Sequence, residues 1–484
     1  MTLASSTHGS VDGDDVHIAY IGGGSRQWAP ALFQDLALSG IDGEVRLYDT
    51  TSESAERNVR FGNWVDDQEN ATADWSYGAT ETVEAALDGA DFVVLSTQYD
   101  PAETFVHDLD IPQEYGIHGA VAATTGPGGL FRAMRTIPVY REFAAAIREH
   151  CPDAWVFNYT NPVHFITRAL YDEYPDINAI GLCHEVLGTR ERLARYATDH
   201  LGMDASREDI SVNVKGINHF TWVDEARCRG VDLWPLIDDL AGREEARRTF
   251  TTEDLVDESV FTDNWQVTWE LYRRFGVLPA TGDRHLVEYA NWFIQGGEAT
   301  LNRWGVKRTG SDYRAKHWTP AESDQTTDVE AWMSGEREFT LEPSNETFMD
   351  VLGALLGEET YVTNVNLPNE GQIEDLPSDA VVETNAVIRR NEVRPIAAGG
   401  FPRPVRSLIR GHIDTQETVV EASRTGDLDA AFEGFLIDPQ VRSLPPDDSR
   451  ELFADLVGAQ ERYLEDWDLD GSTVLAESAA YPTE

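Results

Sequence analysis

Three short phrases carry residues that do chemistry. IGLCHEVLGT, residues 180–189, sets Cys183, His184 and Glu185 in a row straight after an apolar run. NYTNP brings Asn158 and Asn161, and GINHF brings His219. A thiolate, an imidazole and spare coordination positions suit a transition metal. A lone cysteine is more often a small core residue and a lone histidine more often structural. The residue types alone leave both readings open.

A fourth phrase, IGGGSR, concerns a nucleotide. Gly22, Gly23, Gly24 and Ser25 follow an apolar run and open a helical pattern, and Asp49 closes the next apolar run. Gly22 and Gly24 match the first two glycines of a dinucleotide fingerprint; Gln27 stands where the third belongs. An acid about 20 residues beyond the glycines bonds the ribose hydroxyls of NAD and disfavours a 2′-phosphate. The bland alternative is a glycine-rich turn of any α/β protein.

These residues need elements to position them. VHIAYI, EVRLYD, ADFVVLST, AWVFNYTNP and INAIGLCHE read as strands, with amphipathic helical patterns between them. That alternation predicts a doubly wound parallel sheet, whose strand ends on the carboxyl side face a ligand crevice. Beyond Leu201 the pattern changes. ISVNVKGINHFTWVDEA alternates like antiparallel strands, VFTDNWQVTWELYRRFG reads helical, and the tail from Asp414 reads mostly helical. SDYRAKHWTPAESDQTTDVEAW reads as a long loop. The expected organisation is a Rossmann-like domain over 1–205 and a C-terminal α+β domain, carrying substrate and metal groups, over 206–484.

The composition narrows the partners. The 484 residues hold 38 basic and 86 acidic side chains, a formal charge of −48. Nucleic acid and anionic membranes are excluded as partners because phosphate is repelled. Such self-repulsion is tolerable where salt screens it, over about 3 Å at 1 M, which implies a salt-rich cytoplasm. No apolar run is long enough to span a membrane. The start lacks the basic and apolar regions of a signal peptide, and three widely spaced cysteines, Cys151, Cys183 and Cys228, make no disulfide framework. The expectation is a cytoplasmic protein with free thiols.

Taken together, IGGGSR, ATTGPGGLFRAMRTIPV, CPDAWVFNYTNPV, IGLCHEVLGT, GINHFTW and the later FGVLPATGDRHLVEY resemble glycoside hydrolase family 4. The resemblance implies a lactate/malate-dehydrogenase-like fold, tightly held NAD and Mn(II) or another divalent metal. It implies a small-molecule glycoside as substrate and a homo-oligomer, dimer or tetramer. It also implies hydrolysis by oxidation at carbon 3, elimination, addition and reduction, an exception to the two-carboxylate route. By matching position, Cys183 and His219 are the metal ligands and Asn161 contacts substrate. Asp283 in GDRH is the base, and His184 is a proton donor near the leaving oxygen. CHEVLGT with GDRHLVEY looks most like the branch acting on α-galacturonides, where Arg284 and His285 suit a substrate carboxylate. The branches acting on α-galactosides or α-glucosides come next. An NAD-dependent 2-hydroxy-acid dehydrogenase and a non-catalytic NAD sensor are the rival classes. Neither gives a reason for pairing Cys183 with His219.

The charge sets a first prediction. The melting temperature should rise as salt goes from about 0.1 M to about 1 M, because screening removes the repulsion. A flat melting temperature across that series would contradict it.

Overall fold

Short runs of β-branched and aromatic residues, separated by amphipathic stretches, place strand and helix in turn along the N-terminal half. The computed structural model describes residues 16–98, 101–313, 329–344, 346–378 and 380–480. Strands β1 (Val16–Ile21), β2 (Gly43–Tyr48), β3 (Trp75–Ala79), β4 (Phe92–Leu95), β5 (Trp155–Asn158) and β6 (Asn178–Gly181) are parallel, in the spatial order β3-β2-β1-β4-β5-β6. Helices α1 (Trp28–Ala37), α2 (Ser52–Asp66), α3 (Val83–Leu87), α4 (Ala102–Glu114), α5 (Gly126–His150), α6 (Val163–Glu173) and α7 (Glu185–Leu201) complete this half. It is the Rossmann-like sheet that the sequence pattern implies. The strand order reverses between β1 and β4, so a crevice opens at their carboxyl ends.

Side chains of β1 alternate between two cores. Ala19 and Ile21 join Val93, Leu95, Phe131 and Met134 on one face. Ile18 and Tyr20 join Phe33, Phe61, Phe92 and Phe348 on the other. The period of two is the strand's own geometry. β4 and β5 are buried along their whole length, as central parallel strands covered on both faces must be.

The second half continues the same sheet. β7 (Ile210–Ile217) and β8 (Phe220–Cys228) form a hairpin, followed by β9 (Val231–Asp232), α8 (Trp234–Gly242), α9 (Gln266–Phe275), β10 (Leu278–Pro279) and α10 (Asp283–Tyr289). β11 (Tyr361–Pro368) and β12 (Val381–Arg389) come from far along the chain and slot between β6 and β7; β13 (Glu392–Pro395) pairs with β12. This antiparallel insertion is not visible in the sequence pattern. The tail is helical, over Arg403–Ala422, Leu428–Ile437, Pro446–Gln460 and Thr473–Ala480. The helix expected over VFTDNWQVTWELYRRFG is shorter, because Trp265 sits at φ 55° and helix begins only at Gln266. Of the expected long loop, residues 314–328 lie outside the described residues, and Val329–Ser334 is helix.

A buried ion pair joins α4 to α5, and Gln460 of the helical tail bonds to it. Asp108 on α4 accepts from Arg135 on α5 at 3.1 and 2.7 Å, and from Nε2 of Gln460 at 3.0 Å. Both charged side chains are fully buried. Removing one partner of such a pair strands the other charge in the core. Asp108→Ala should therefore cost roughly 3–5 kcal/mol in urea unfolding, and an apolar double replacement at 108 and 135 should recover most of that. A loss under about 1 kcal/mol in the single variant, the level of an exposed pair, would refute this.

Candidate active site

The first β–α turn is built for close approach. Gly22 has φ +89°, and a Cβ there would lie 2.2 Å from the carbonyl oxygen of Ser96 on the neighbouring strand end. Only glycine fits such a position. The amides of Gly22 and Gly23 both donate to Tyr48 O at 2.9 Å. Asn58 Nδ2 donates to the carbonyls of Gly23 and Ser25, each at 2.7 Å. Ser25 Oγ accepts from Trp28 N at 3.1 Å, closing the start of α1. Asp49 accepts from Gly24 N at 2.9 Å and Thr51 N at 2.8 Å. A carboxylate has about four acceptor positions, so two bonds leave room for ribose hydroxyls.

Next in the crevice come the ends of β5 and β6. Asn158 is buried and donates to Thr167 Oγ1 at 3.2 Å, a structural tie. Asn161 differs: its Oδ1 is buried and has no hydrogen-bond partner among the described residues. Such an acceptor is costly unless a ligand satisfies it.

The β7–β8 turn delivers His219 with φ 61°, a region that L residues rarely adopt. Its ring stacks on His285 of α10, with centroids 4.0 Å apart. Glu185, the first residue of α7, accepts from Gly282 N at 2.6 Å, and its other oxygen lies 3.7 Å from His285 Nε2. Donor atoms of Glu185, His219 and His285 lie within 4.8 Å of one another. His219 Nδ1 is buried without a partner among the described residues. Burial, reinforced by His184, His164, Arg284 and Arg132, holds this imidazole well below its ordinary pKa. It is neutral and offers a lone pair. Two imidazoles and a carboxylate with an orphaned nitrogen fit a divalent transition metal.

Cys183, expected as a ligand with His219, is not brought into this set, although it lies two residues before Glu185. Burial, with Glu383 and Glu185 as charged neighbours, pushes its thiol well above the ordinary range. A bound cation is what would release that proton. Glu383 on β12 accepts from Thr221 Oγ1 at 2.9 Å and Asn364 Nδ2 at 2.6 Å, and its carboxyl is pushed to about 7, chiefly by burial. His184 is not brought into the Glu185–His219–His285 set. It is exposed, stacks on Trp28 at 6.1 Å, and has Nδ1 3.8 Å from Glu346.

Asp283 opens α10 and is fully buried. Its carboxylate accepts from Val267 N at 3.1 Å, Thr268 N at 2.9 Å and Thr268 Oγ1 at 2.7 Å. It thus caps α9, whose own N-cap residue gives no side-chain bond. Burial and the nearby Asp263 push it to about 7. Arg284 is mostly buried: Nη2 donates to Thr309 Oγ1 at 3.1 Å, while Nε has no partner among the described residues. Glu288, one turn on from His285, accepts the amides of Val121 and Ala122 at 2.8 and 2.7 Å. One short helix therefore aligns the base candidate, the arginine and a metal-competent imidazole, and anchors the loop leading to α5. Sequence reasoning did not place Glu185 and His285 as one donor set, nor single out Glu288 or Glu383. The only local signal was Glu185 directly after Cys-His.

Glu383 sets a pH prediction. Its folded pKa is above the ordinary value of 4.5, so the native state holds its proton longer than the unfolded state. Stability falls as pH rises from about 4.5 to about 7, by at most about 3 kcal/mol, and no further above. Glu383→Gln escapes this loss, and the Thr221 hydroxyl can reverse to accept from the new amide. The variant should gain on the wild type through that window in melting scans. A difference independent of pH would overturn the assignment.

Comparison with known proteins adds to this geometry. Residues 17–198 match the Family 4 glycosyl hydrolase profile, and residues 214–441 match the Family 4 glycosyl hydrolase C-terminal domain. An alpha-galacturonidase of Thermoanaerobacter italicus is 40% identical over 461 residues, spanning 94% of this chain and 98% of the relative. The crystal structure of lplD from Bacillus subtilis superposes with a TM-score of 0.84 at 39% identity, covering 92% of this chain and 100% of that one. A 6-phospho-alpha-glucosidase from gut microorganisms, in complex with NAD and Mn2+, shares the fold at a TM-score of 0.76 and 19% identity, over 94% and 99% of the two chains. The chain belongs to glycosyl hydrolase family 4.

Proposed function

We propose that this protein hydrolyses α-galacturonides, using NAD and a divalent metal, Mn(II) first among them. The observation that carries the reading is Arg284, whose buried Nε has no partner among the described residues, next in sequence to the metal-competent His285. A uronide differs from a neutral hexoside by a carboxylate, the group an arginine edge binds bidentately. The 40% identity with an alpha-galacturonidase over nearly the whole chain supports it. An α-galactosidase or α-glucosidase of the same family leaves Arg284 without a task. A 2-hydroxy-acid dehydrogenase leaves the Glu185–His219–His285 set without one.

In this reading Gly22, Gly23, Gly24 and Ser25 hold the pyrophosphate at the start of α1, and Asp49 takes the ribose. His219 and Cys183 hold the metal, with Glu185 and His285 beside them. When bound, the nucleotide supplies reversible hydride transfer and the metal supplies Lewis-acid polarisation of sugar oxygens. Asn161 Oδ1 accepts from a sugar hydroxyl. Asp283, held near neutrality by burial, takes the proton from carbon 2, as a base poised near working pH should. His184, open to solvent, hands a proton to the leaving oxygen. The protein works as a homo-oligomer in a salt-rich cytoplasm; the charge of −48 supports the salt. Among the described residues no helix is long and apolar enough to cross a membrane.

The test is hydrolysis of p-nitrophenyl α-galacturonide with and without NAD and Mn(II), run in D2O. Activity should require both, and the product should carry deuterium at carbon 2. Direct displacement never breaks that bond and leaves protium. Full activity after removal of nucleotide and metal, or an unlabelled product, would sink the reading. Undiminished labelling by Asp283→Asn would move the base elsewhere.

A further inference from the structure

The Val260–Phe261 segment wraps Arg284. The Phe261 ring lies over the guanidinium, 4.7 Å from Cζ to ring centroid, and the carbonyl of Val260 lies 3.4 Å from Nη1. Phe261 is itself 54% exposed, unusual for so large an apolar side chain. Tyr313 meets it edge-on at 6.5 Å. Behind the guanidinium, Thr309 is buried, holds Nη2, and ties its own amide to Ala120 O at 2.8 Å. One face is thus covered by the ring and one nitrogen is fixed by a hydroxyl, while buried Nε is left without a partner among the described residues. The nearby acids hold other partners: Glu185 meets Gly282 and His285, Glu288 accepts the amides of Val121 and Ala122, and Asp263 accepts those of Asp283 and Trp265.

We propose that Phe261 is a specificity-determining positioning residue. By covering the Arg284 guanidinium it keeps the Nε–Nη2 edge dry and aimed at a carboxylate on the bound sugar, so the site selects uronides over neutral hexosides. This rests on the role given to Arg284 above. The physics is twofold. A cation shielded from water attracts a carboxylate more strongly than a solvated one, and salt screens it less. A fork already held in place also loses less freedom on binding.

The test uses Phe261→Ala, Phe261→Tyr and Arg284→Met in the full chain. Two readouts apply: kinetics on p-nitrophenyl α-galacturonide and p-nitrophenyl α-galactoside, and calorimetric binding of galacturonate at two salt concentrations. Phe261→Ala should raise KM and the galacturonate Kd about tenfold, with the loss in KM and not in kcat. Binding should become more sensitive to salt, the uronide-to-neutral ratio should fall, and Phe261→Tyr should restore both. An equal loss on both glycosides would make Phe261 a general sugar platform or a structural contact and overturn the proposal. So would a Phe261→Ala variant with an unchanged ratio while Arg284→Met lowers it. If Arg284→Met leaves the ratio unchanged, the underlying reading of Arg284 fails first.

Discussion

The site depends on buried polar atoms that the surrounding protein does not satisfy. His219 Nδ1, Asn161 Oδ1 and Arg284 Nε are buried and lack partners among the described residues. Each such group costs free energy in the empty protein. The surroundings hold them by spending other hydrogen bonds on rigidity. Glu185 grips Gly282, Asp283 caps α9, and Glu288 anchors the loop before α5. Those acids are therefore held in place, and do not collapse onto the arginine. An unmet demand of this kind is what a ligand with matching charges and oxygens fulfils.

Burial also sorts the protonation states. The His219 imidazole is kept neutral and the Cys183 thiol protonated, while Asp283 and Glu383 both rise to about 7. Both carboxyls hold a proton to higher pH than an exposed acid does. On the outer surface the acids are solvated, and the formal charge of the whole chain is −48. The same residue type thus serves two ends, solvation outside and proton storage inside, and only dielectric separates them.

The legible part of the architecture is the part written locally. The Gly22–Asp49 turn and the parallel strands follow from short-range patterns, and the sheet forms as those patterns imply. β11 and β12 escaped notice because pairing between distant segments leaves no periodic mark. Glu185 on α7 meets His285 on α10, a hundred residues on, and nothing near either residue signals that contact. Asp283 shows the same limit at smaller scale. Its task as the cap of α9 is performed from the far side of that helix, so no capping pattern at Trp265 announces it.

The placement of β11 and β12 bears on how the chain is made. β6 pairs with β5 on one side, and on the other meets only β11, through Asn366 opposite Gly181. β7 likewise waits for β12. While the ribosome is still working toward the last third of the chain, both strands present bare backbone edges. Such edges recruit other chains, and closing them requires contacts across a long stretch of sequence, which folds slowly. The nascent protein therefore passes through a stage in which its nucleotide half is formed but open-edged. The charge carried by that half gives growing chains a reason to keep apart until the gap is filled.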